Sequence, residues 1–530
     1  MKFSKAFMAM MCFSLPLYAV EDVQLQKQIN ALKQQTEALQ EKLNHLQANV
    51  SQNKKRSMPV QKKTATAKDS SAPDVAQKSR NKTENFHSSE LMVHVPDAHP
   101  ESIGFYPTAL VADNNVVTYI AGTPVVSSPY LGDRPAFDGS DYIVNISSIN
   151  RDIRLMQQRR RLYRAYQQIG YPIPEMPIIA VSGKVEPMAT IGNPYLGQTD
   201  GDLTLGSSEI DFAAALNQNV EGYIAVAYDE SPPSVGPRIN NSSFHLNMGF
   251  VNIGNLDKTP FYFTAGQIYV PFGRYSSSMI SAPLTMNVAR TKTRPFILGY
   301  KSQENTGPFA AVYGYKSDTT LGQSGIGGYN LGYIFAHNEI TGEVGTSLIS
   351  SVDDAAGMQG TASIPGTTFG GFGSLTNGNE SVRKTPAFDI YGNIAFDRYN
   401  FYAEWLTATE RFRTQDLSMN GQGAKPQAGQ VEANMTFKAF DRPASLGLGY
   451  QWTKDALALN LPQQRYVGVF NISIWKDTVE SLEYRHDIDY AANQYANGAN
   501  SALANFPPNQ NTVGTGKGAD TISAQIGVYF

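Results

Sequence analysis

Two sets of charged residues carry the chemistry available to this 530-residue sequence. The first is cationic and local. Arg274, Arg290, Lys292 and Arg294, with Tyr275 among them, fall in one stretch between two apolar alternating segments. Such a cluster can set the charge preference of a pore and favour anionic solutes. At a membrane rim the same residues would instead hold lipopolysaccharide phosphates, and the two readings stand level. The second set is dispersed and mostly acidic: Glu209, Asp211, Glu404, Glu432, Glu483 and Arg485, with Lys184, Glu186 and Glu221 beside them. Each sits on an alternate position of a β-like segment. An unpaired charge in a dry core is very costly, so the face that carries these residues must be wet. The plainest role for such a face is the wall of a water channel.

Neither set makes an enzyme. The sequence has no Gly-x-Ser-x-Gly and no His-Glu-x-x-His; His245, His337 and His486 are scattered. There is no phosphate loop and no dinucleotide fingerprint. His94-x-x-Asp97-x-His99 and His486-Asp487-x-Asp489 offer metal-compatible types without metal-site spacing. No catalytic residue, cofactor or metal is expected. A net charge of -3 gives no field that would draw nucleic acid.

The elements that must position these charges are strands. From Ile178 onward the chain divides into sixteen alternating segments, roughly 178–188, 204–216, 219–229, 242–254, 259–271, 295–302, 307–317, 326–337, 340–350, 386–397, 399–410, 428–438, 443–453, 464–475, 478–487 and 520–530. Val431, Ala433, Met435 and Phe437, for instance, interleave with Gln430, Glu432, Asn434 and Thr436. The links between segments are short and long by turns. Asn217-Gln218, His337-Asn338 and Lys476-Asp477 are short; 272–294, 351–385 and 488–519 are long. A transmembrane barrel needs this segregation, with both termini on the short-turn side. The expected fold is therefore an all-β, antiparallel transmembrane barrel over 177–530. Leu284–Val288 is placed in a loop, with a strand as the other reading.

Ahead of the barrel the sequence reads as four pieces. Residues 1–19 have the charged start and apolar run of a secretory signal peptide. The only cysteine, Cys12, lies in it, so the mature chain would have no disulfides. Within 22–50, Leu25, Ile29, Leu32, Thr36, Leu39, Leu43, Leu46 and Val50 form a heptad seam, which predicts self-association through residues 25–50. Residues 51–90 are Lys-, Ser- and Thr-rich and read as a flexible basic linker. Residues 91–176 read as a small α+β, periplasmic or plug-like segment. They contain short β-like runs and a helix over Ile149–Ile169 rich in arginine. Its basic face is expected to meet water, with a lumen plug or periplasmic lid as the second reading.

The last strand sharpens the reading. Ile522, Ala524, Ile526, Val528 and Phe530 share one face, and the sequence stops on the aromatic residue. It resembles the closing strand of bacterial outer-membrane barrels, in which a C-terminal aromatic is the signal for the barrel assembly machinery; Ile526, Val528 and Phe530 would carry it. The order signal, coiled coil, basic linker and barrel is similar to the siderophore porins typified by the legiobactin receptor. So is the stretch Thr264-Ala265-Gly266-Gln267-Ile268-Tyr269-Val270-Pro271-Phe272-Gly273-Arg274. The resemblance implies an outer-membrane channel or receptor of a Gram-negative bacterium, with a periplasmic N-terminal region. Its solute would be a ferric siderophore, taken up without a large plug domain, or another small anionic solute. A general trimeric porin and an envelope-tethering structural protein are the alternatives.

Overall fold

A computed structural model describes residues 150–168, 177–229, 243–303, 306–317, 325–337, 340–359, 382–414, 416–475, 477–496 and 513–530, with short strands between 86 and 144. The expected signal peptide, coiled coil and most of the linker lie outside the described residues. One part of the linker does not: Phe86–Met92 is a strand paired with Thr108–Asn114.

The barrel has sixteen antiparallel strands. β1 runs in two segments, Ile178–Val185 and Met188–Asn193, and β2 likewise, Asp200–Thr204 and Glu209–Ala215. Then follow β3 (Val220–Asp229), β4 (Ser243–Gly254), β5 (Phe261–Tyr269), β6 (Phe296–Lys301), β7 (Gly307–Lys316) and β8 (Gly325–His337). The second half is β9 (Ile340–Ile349), β10 (Ala387–Phe396), β11 (Tyr399–Ala408), β12 (Gln427–Ala439), β13 (Arg442–Lys454), β14 (Gln464–Ile472), β15 (Thr478–Ile488) and β16 (Gly518–Tyr529). Each strand pairs with its chain neighbours, and β16 returns to β1 with Ile522 opposite Ile191 and Val528 opposite Val185. Phe530 and Gly183 exchange backbone hydrogen bonds beyond that point. The closed ring leaves no open edge, as a sheet surrounded by lipid requires.

The seam is bent on purpose. Pro187 has no N–H for the ladder, and β1 breaks there. Opposite the break, Gly206 takes a φ of +58°, and a Cβ on it would collide with the Glu186 carbonyl. Lys184 and Glu186 pair at 3.0 Å inside the bend, and the Tyr529 hydroxyl donates to Glu186 at 2.8 Å. The last residues of the barrel are thus tied to the first through side chains as well as backbone.

Alternation decides the two faces. Val431, Leu446, Leu448, Ile522, Ile526, Val528 and Phe530 are exposed on the outside. Gln430, Glu432, Gln451 and Ser523 on the intervening positions are buried inside. An apolar exterior around a polar interior is the arrangement of a barrel set in lipid.

Two inserts occupy the interior. Helix α1, Arg151–Gln168, enters before β1. Between β5 and β6 the chain folds inward and carries helix α2, Leu284–Ala289. That stretch is therefore neither an irregular loop nor a strand. Its six residues are too few to satisfy their own backbone, and the wall completes the helix's first turn. At the long-loop end, Val352, Met358, Val382, Phe412, Leu417, Leu457 and Tyr490 pack into one apolar cluster with Phe272 and Val288.

Candidate pore constriction

The inward connection 270–294 is held by carboxylates on the far wall. Gly273 opens it at φ +73°, where a Cβ would collide with the Tyr275 ring. The Glu404 carboxylate accepts the backbone N–H groups of Arg274 and Tyr275 at 2.6 and 2.9 Å. It also accepts the Thr285 hydroxyl at 2.7 Å and the Gln430 amide at 2.9 Å. Glu432 accepts the Ser278 N–H at 2.8 Å and the hydroxyls of Ser277 and Ser278 at 2.9 and 2.6 Å. Glu483 accepts the Ser281 N–H at 3.0 Å, and the Gln451 carbonyl accepts the Leu284 N–H at 2.9 Å. Arg465 donates to the Ala282 carbonyl at 3.2 Å. A non-helical segment inside a barrel leaves backbone donors without strand partners. Here β11, β12, β13 and β15 supply the acceptors, one per step across the wall.

The expectation that these inward carboxylates line open water is therefore corrected. Glu404, Glu432 and Glu483 are all under 5% exposed and serve the protein's own backbone. The cations of the loop also separate. Arg274 is 3% exposed and ion-paired with Glu343, and Tyr275 is buried beside it. Arg290 lies over the Tyr269 ring at 4.3 Å. Lys292 reaches the Asn247 carbonyl at 2.7 Å, and Asn247 donates to Glu209 at 2.5 Å. Arg294 is exposed. Arg485 pairs with Asp487 at 3.1 Å near Thr521.

Helix α1 is held on the other wall, and by side chains. Arg151, 1% exposed, stands 3.9 Å from Glu209 and 3.7 Å from Asp211. It donates to the Tyr223 hydroxyl, which donates to Asp211. Asp152 accepts the Thr264 hydroxyl at 3.0 Å, and the Asn252 amide donates to the Asp152 carbonyl at 3.0 Å. Arg159 lies 3.5 Å from Glu221 and donates to the Gly254 carbonyl; Arg160 lies 3.7 Å from Asp257 in the β4–β5 turn. Met156 packs with Leu256 and Tyr262. The sequence expectation that the basic face of this helix meets water fails. Arg151, Arg159 and Arg160 find carboxylates on β2, on β3 and in the β4–β5 turn, so they can be buried with partners.

Sequence reasoning brought Glu209, Asp211, Glu404, Glu432 and Glu483 to the interior but missed what they bind. It missed Glu343 and Arg465, and it placed Gln430 and Gln451 on the polar face without seeing what they hold. The signal was present: Glu343 and Gln430 share the parity of inward positions, next to the outward Val344 and Val431.

Outside the strands, burial pushes the Asp353 carboxyl up to about 8, with Asp354 and Asp416 adding repulsion. Burial likewise raises the Tyr490 phenol to about 12, against hydrogen bonds from Thr453 and the Ala456 N–H.

No family model matches the chain. Among solved structures it is similar to the outer-membrane channel DcaP of Acinetobacter baumannii, at 11% identity over 68% of this chain and 99% of that one, TM-score 0.43. It is also similar to an anion-selective porin from Comamonas acidovorans, at 10% identity over 67% and 100%, TM-score 0.44. Sequence relatives are much nearer. A UPF0422 protein of Legionella pneumophila (strain Paris) is 68% identical over the full length of both chains. A UPF0422 protein of Coxiella burnetii is 37% identical over 76% of this chain and 83% of its own length. The chain belongs to the UPF0422 family.

Proposed function

We propose that the protein is a channel of the bacterial outer membrane, with its N-terminal region in the periplasm. One observation carries the reading: a closed sixteen-strand barrel, apolar outside and polar inside, narrowed by an inward loop fixed to the far wall. A water-soluble protein gains nothing from a complete apolar exterior, and a rigid inward loop is how a barrel of this size limits what passes. Lipid would cover the exterior, lipopolysaccharide would meet the long-loop rim, and the assembly machinery would read β16. Self-association would run through residues 25–50.

The solute in this reading is a ferric siderophore or a comparable small anionic chelate. The support is the resemblance to siderophore porins together with Arg290, Lys292 and Arg294 at the loop's return. Uptake of an iron chelate is to be measured in a deletion strain carrying either the wild-type chain or Arg290→Ser/Lys292→Ser/Arg294→Ser. The triple variant should fall to the uptake of the strain without the protein. Equal uptake by the two chains would remove the basic return of the loop from the mechanism. The general porin is the second reading, favoured by the mixed signs on the inner wall. Liposomes that pass neutral sugars as fast as anionic chelates would support it.

A further inference from the structure

We infer that the outer face of β10–β13 binds a phosphorylated glycolipid of the outer leaflet, with its phosphates on Arg411, Lys425 and Lys454 and an acyl chain in a hollow below them. The inference rests on the outer-membrane reading above. The cations of 274–294 do not make this site. Arg274 is paired with Glu343, Arg290 lies on the Tyr269 ring and Lys292 reaches Asn247. A different set stands at the long-loop rim. Arg411 follows β11 and is exposed, half-buried Lys425 precedes β12, and exposed Lys454 ends β13. The Arg411 guanidinium donates to the Gly423 carbonyl at 2.8 Å and lies 3.6 Å from Asp455, whose carboxylate also accepts the Lys425 N–H at 3.0 Å. Glu410, the neighbour of Arg411, pairs with Arg383 at 3.2 Å. Three cations are thus gathered round one carboxylate, and the group attracts anions.

The hollow lies on the same strands, within the apolar exterior. Val344, Gly392, Ala403, Val431 and Tyr450 form one register row across β9–β13. Gly392 and Ala403 are small, so the row sinks between Val344 and Val431. In the next row Ala433 sinks between Phe401 and Leu448. The result is an outward-facing hollow of about 620 Å³, a size ordinary for small-molecule sites. Val344, Phe401, Val431 and Leu448 stand exposed around it. An acyl chain seated there touches protein on several sides instead of one, and so gains dispersion contacts that the rest of the exterior does not offer.

Trp405 and Trp452 stand between the hollow and the cations. Both pair with Gly429, where a Cβ would meet the Trp452 ring at 2.7 Å, so the ring lies over β12. Tryptophan concentrates at the level of lipid headgroups. Lys454 lies two residues beyond Trp452 and four beyond Tyr450, about 7 Å and about 13 Å along the strand. Phosphates just above the interface and a chain in the hydrocarbon below have this spacing. A free phosphate would use the cations alone, and a purely apolar partner the hollow alone. Their stacking on the same strands selects a phosphorylated lipid. The cations stand at the ends of three adjacent strands, about 10 Å across, which suits two phosphates carried on a sugar headgroup better than a single one.

The test uses the full chain in detergent, incubated with diphosphoryl lipid A or, for comparison, with phosphatidylglycerol. Native mass spectrometry reads the lipid that each protomer retains after washing. The wild-type chain should keep lipid A and lose phosphatidylglycerol. Arg411→Gln/Lys425→Gln/Lys454→Gln and, separately, Gly392→Leu/Ala403→Leu should each lower lipid A retention severalfold. A Cβ on Gly392 meets nothing nearer than Val344 at 3.6 Å, so the second variant fills the hollow without strain, and heat-modifiable migration checks that both variants fold. Lys517→Gln, an exposed cation at the start of β16, should retain lipid A as the wild type does. Undiminished retention in either multiple variant would overturn the site. Equal retention of the two lipids by the wild type would overturn the glycolipid as its occupant. A dimer or trimer mass lost on filling the hollow would assign this face to a second copy of the chain and overturn lipid binding. Conductance in planar bilayers should be the same in all variants, and a wild-type chain that keeps lipid A but conducts nothing would overturn the channel and leave the lipid site standing.

Discussion

The two inserts of this barrel occupy one lumen and are built on opposite principles. The loop 270–294 is irregular, so the wall must complete its hydrogen bonding, and Glu404, Glu432, Glu483 and Gln451 do so. Helix α1 completes its own backbone hydrogen bonding, so the wall meets it with side chains: Glu209, Asp211, Glu221 and Asp257 match its charges, and apolar wall residues pack on Leu155 and Met156. The same residue type, a buried glutamate, therefore does two different jobs. Opposite the loop it is an acceptor for backbone, which makes the loop part of the wall. Opposite the helix it is a counter-ion to an arginine side chain. A carboxylate that accepts two N–H groups cannot be replaced by water inside a filled lumen, whereas one that faces an arginine can be hydrated once the arginine is gone.

The contrast is sharpest in stability. Glu404→Ala orphans the N–H groups of Arg274 and Tyr275 together, at roughly 1–3 kcal/mol each, for a total of about 2–6 kcal/mol. Arg159→Ala takes the counter-ion from Glu221, which Asn252 still hydrogen-bonds, at about 3–5 kcal/mol while the helix stays seated and less once it moves away. Urea midpoints of the purified, folded barrel in detergent measure both. A loss for Arg159→Ala as large as the full cost of an uncompensated buried charge would show that the helix is as firmly built in as the loop.

The outer face supplies a control that touches neither insert. Ile526→Arg places a charge among side chains half exposed to lipid, at about 1–2 kcal/mol for a position between midplane and interface. Ser523→Arg, on the inward face of the same strand, should assemble better than Ile526→Arg. The fraction of heat-modifiable barrel recovered from membranes compares them. Equal recovery would put the inside and outside of β16 the wrong way round.

The smallest effect is expected in the apolar dome at the long-loop end. Asp353 binds its proton there up to about pH 8, and an unfolded aspartate loses it near 3.8. Below pH 3.8 both forms are neutral and burial of the carboxyl carries no ionisation cost. Between 3.8 and 8 the open form releases its proton and the closed form does not, so opening becomes progressively easier as pH rises. Hydrogen exchange of residues 351–359, corrected for its intrinsic pH dependence, should show opening easier at pH 9 than at pH 5 by at least about 1 kcal/mol. Exchange in residues 351–359 that stays the same between pH 5 and pH 9 would remove the buried Asp353 carboxyl from the stability of the dome.

Much of the architecture was legible because period two is a local property. Val431 beside Glu432 and Leu448 beside Gly449 announce two faces whatever lies beyond them. Alternating link lengths then fix sixteen strands and the side on which both ends lie, and the apolar run ending at Phe530 marks the strand that closes the ring. The arginines of 151–160 and the cations of 274–294 were equally visible as residue types. Their partners were not. Arg151 meets Asp211 across 60 positions and Ser278 meets Glu432 across 154, distances at which sequence spacing carries no geometric information. Periodicity could say only that Glu404 and Glu432 point inward. Whether inward meant water or the backbone of an inserted loop was decided by closure, because only when β16 meets β1 does the interior become a finite space that the chain's own segments can fill.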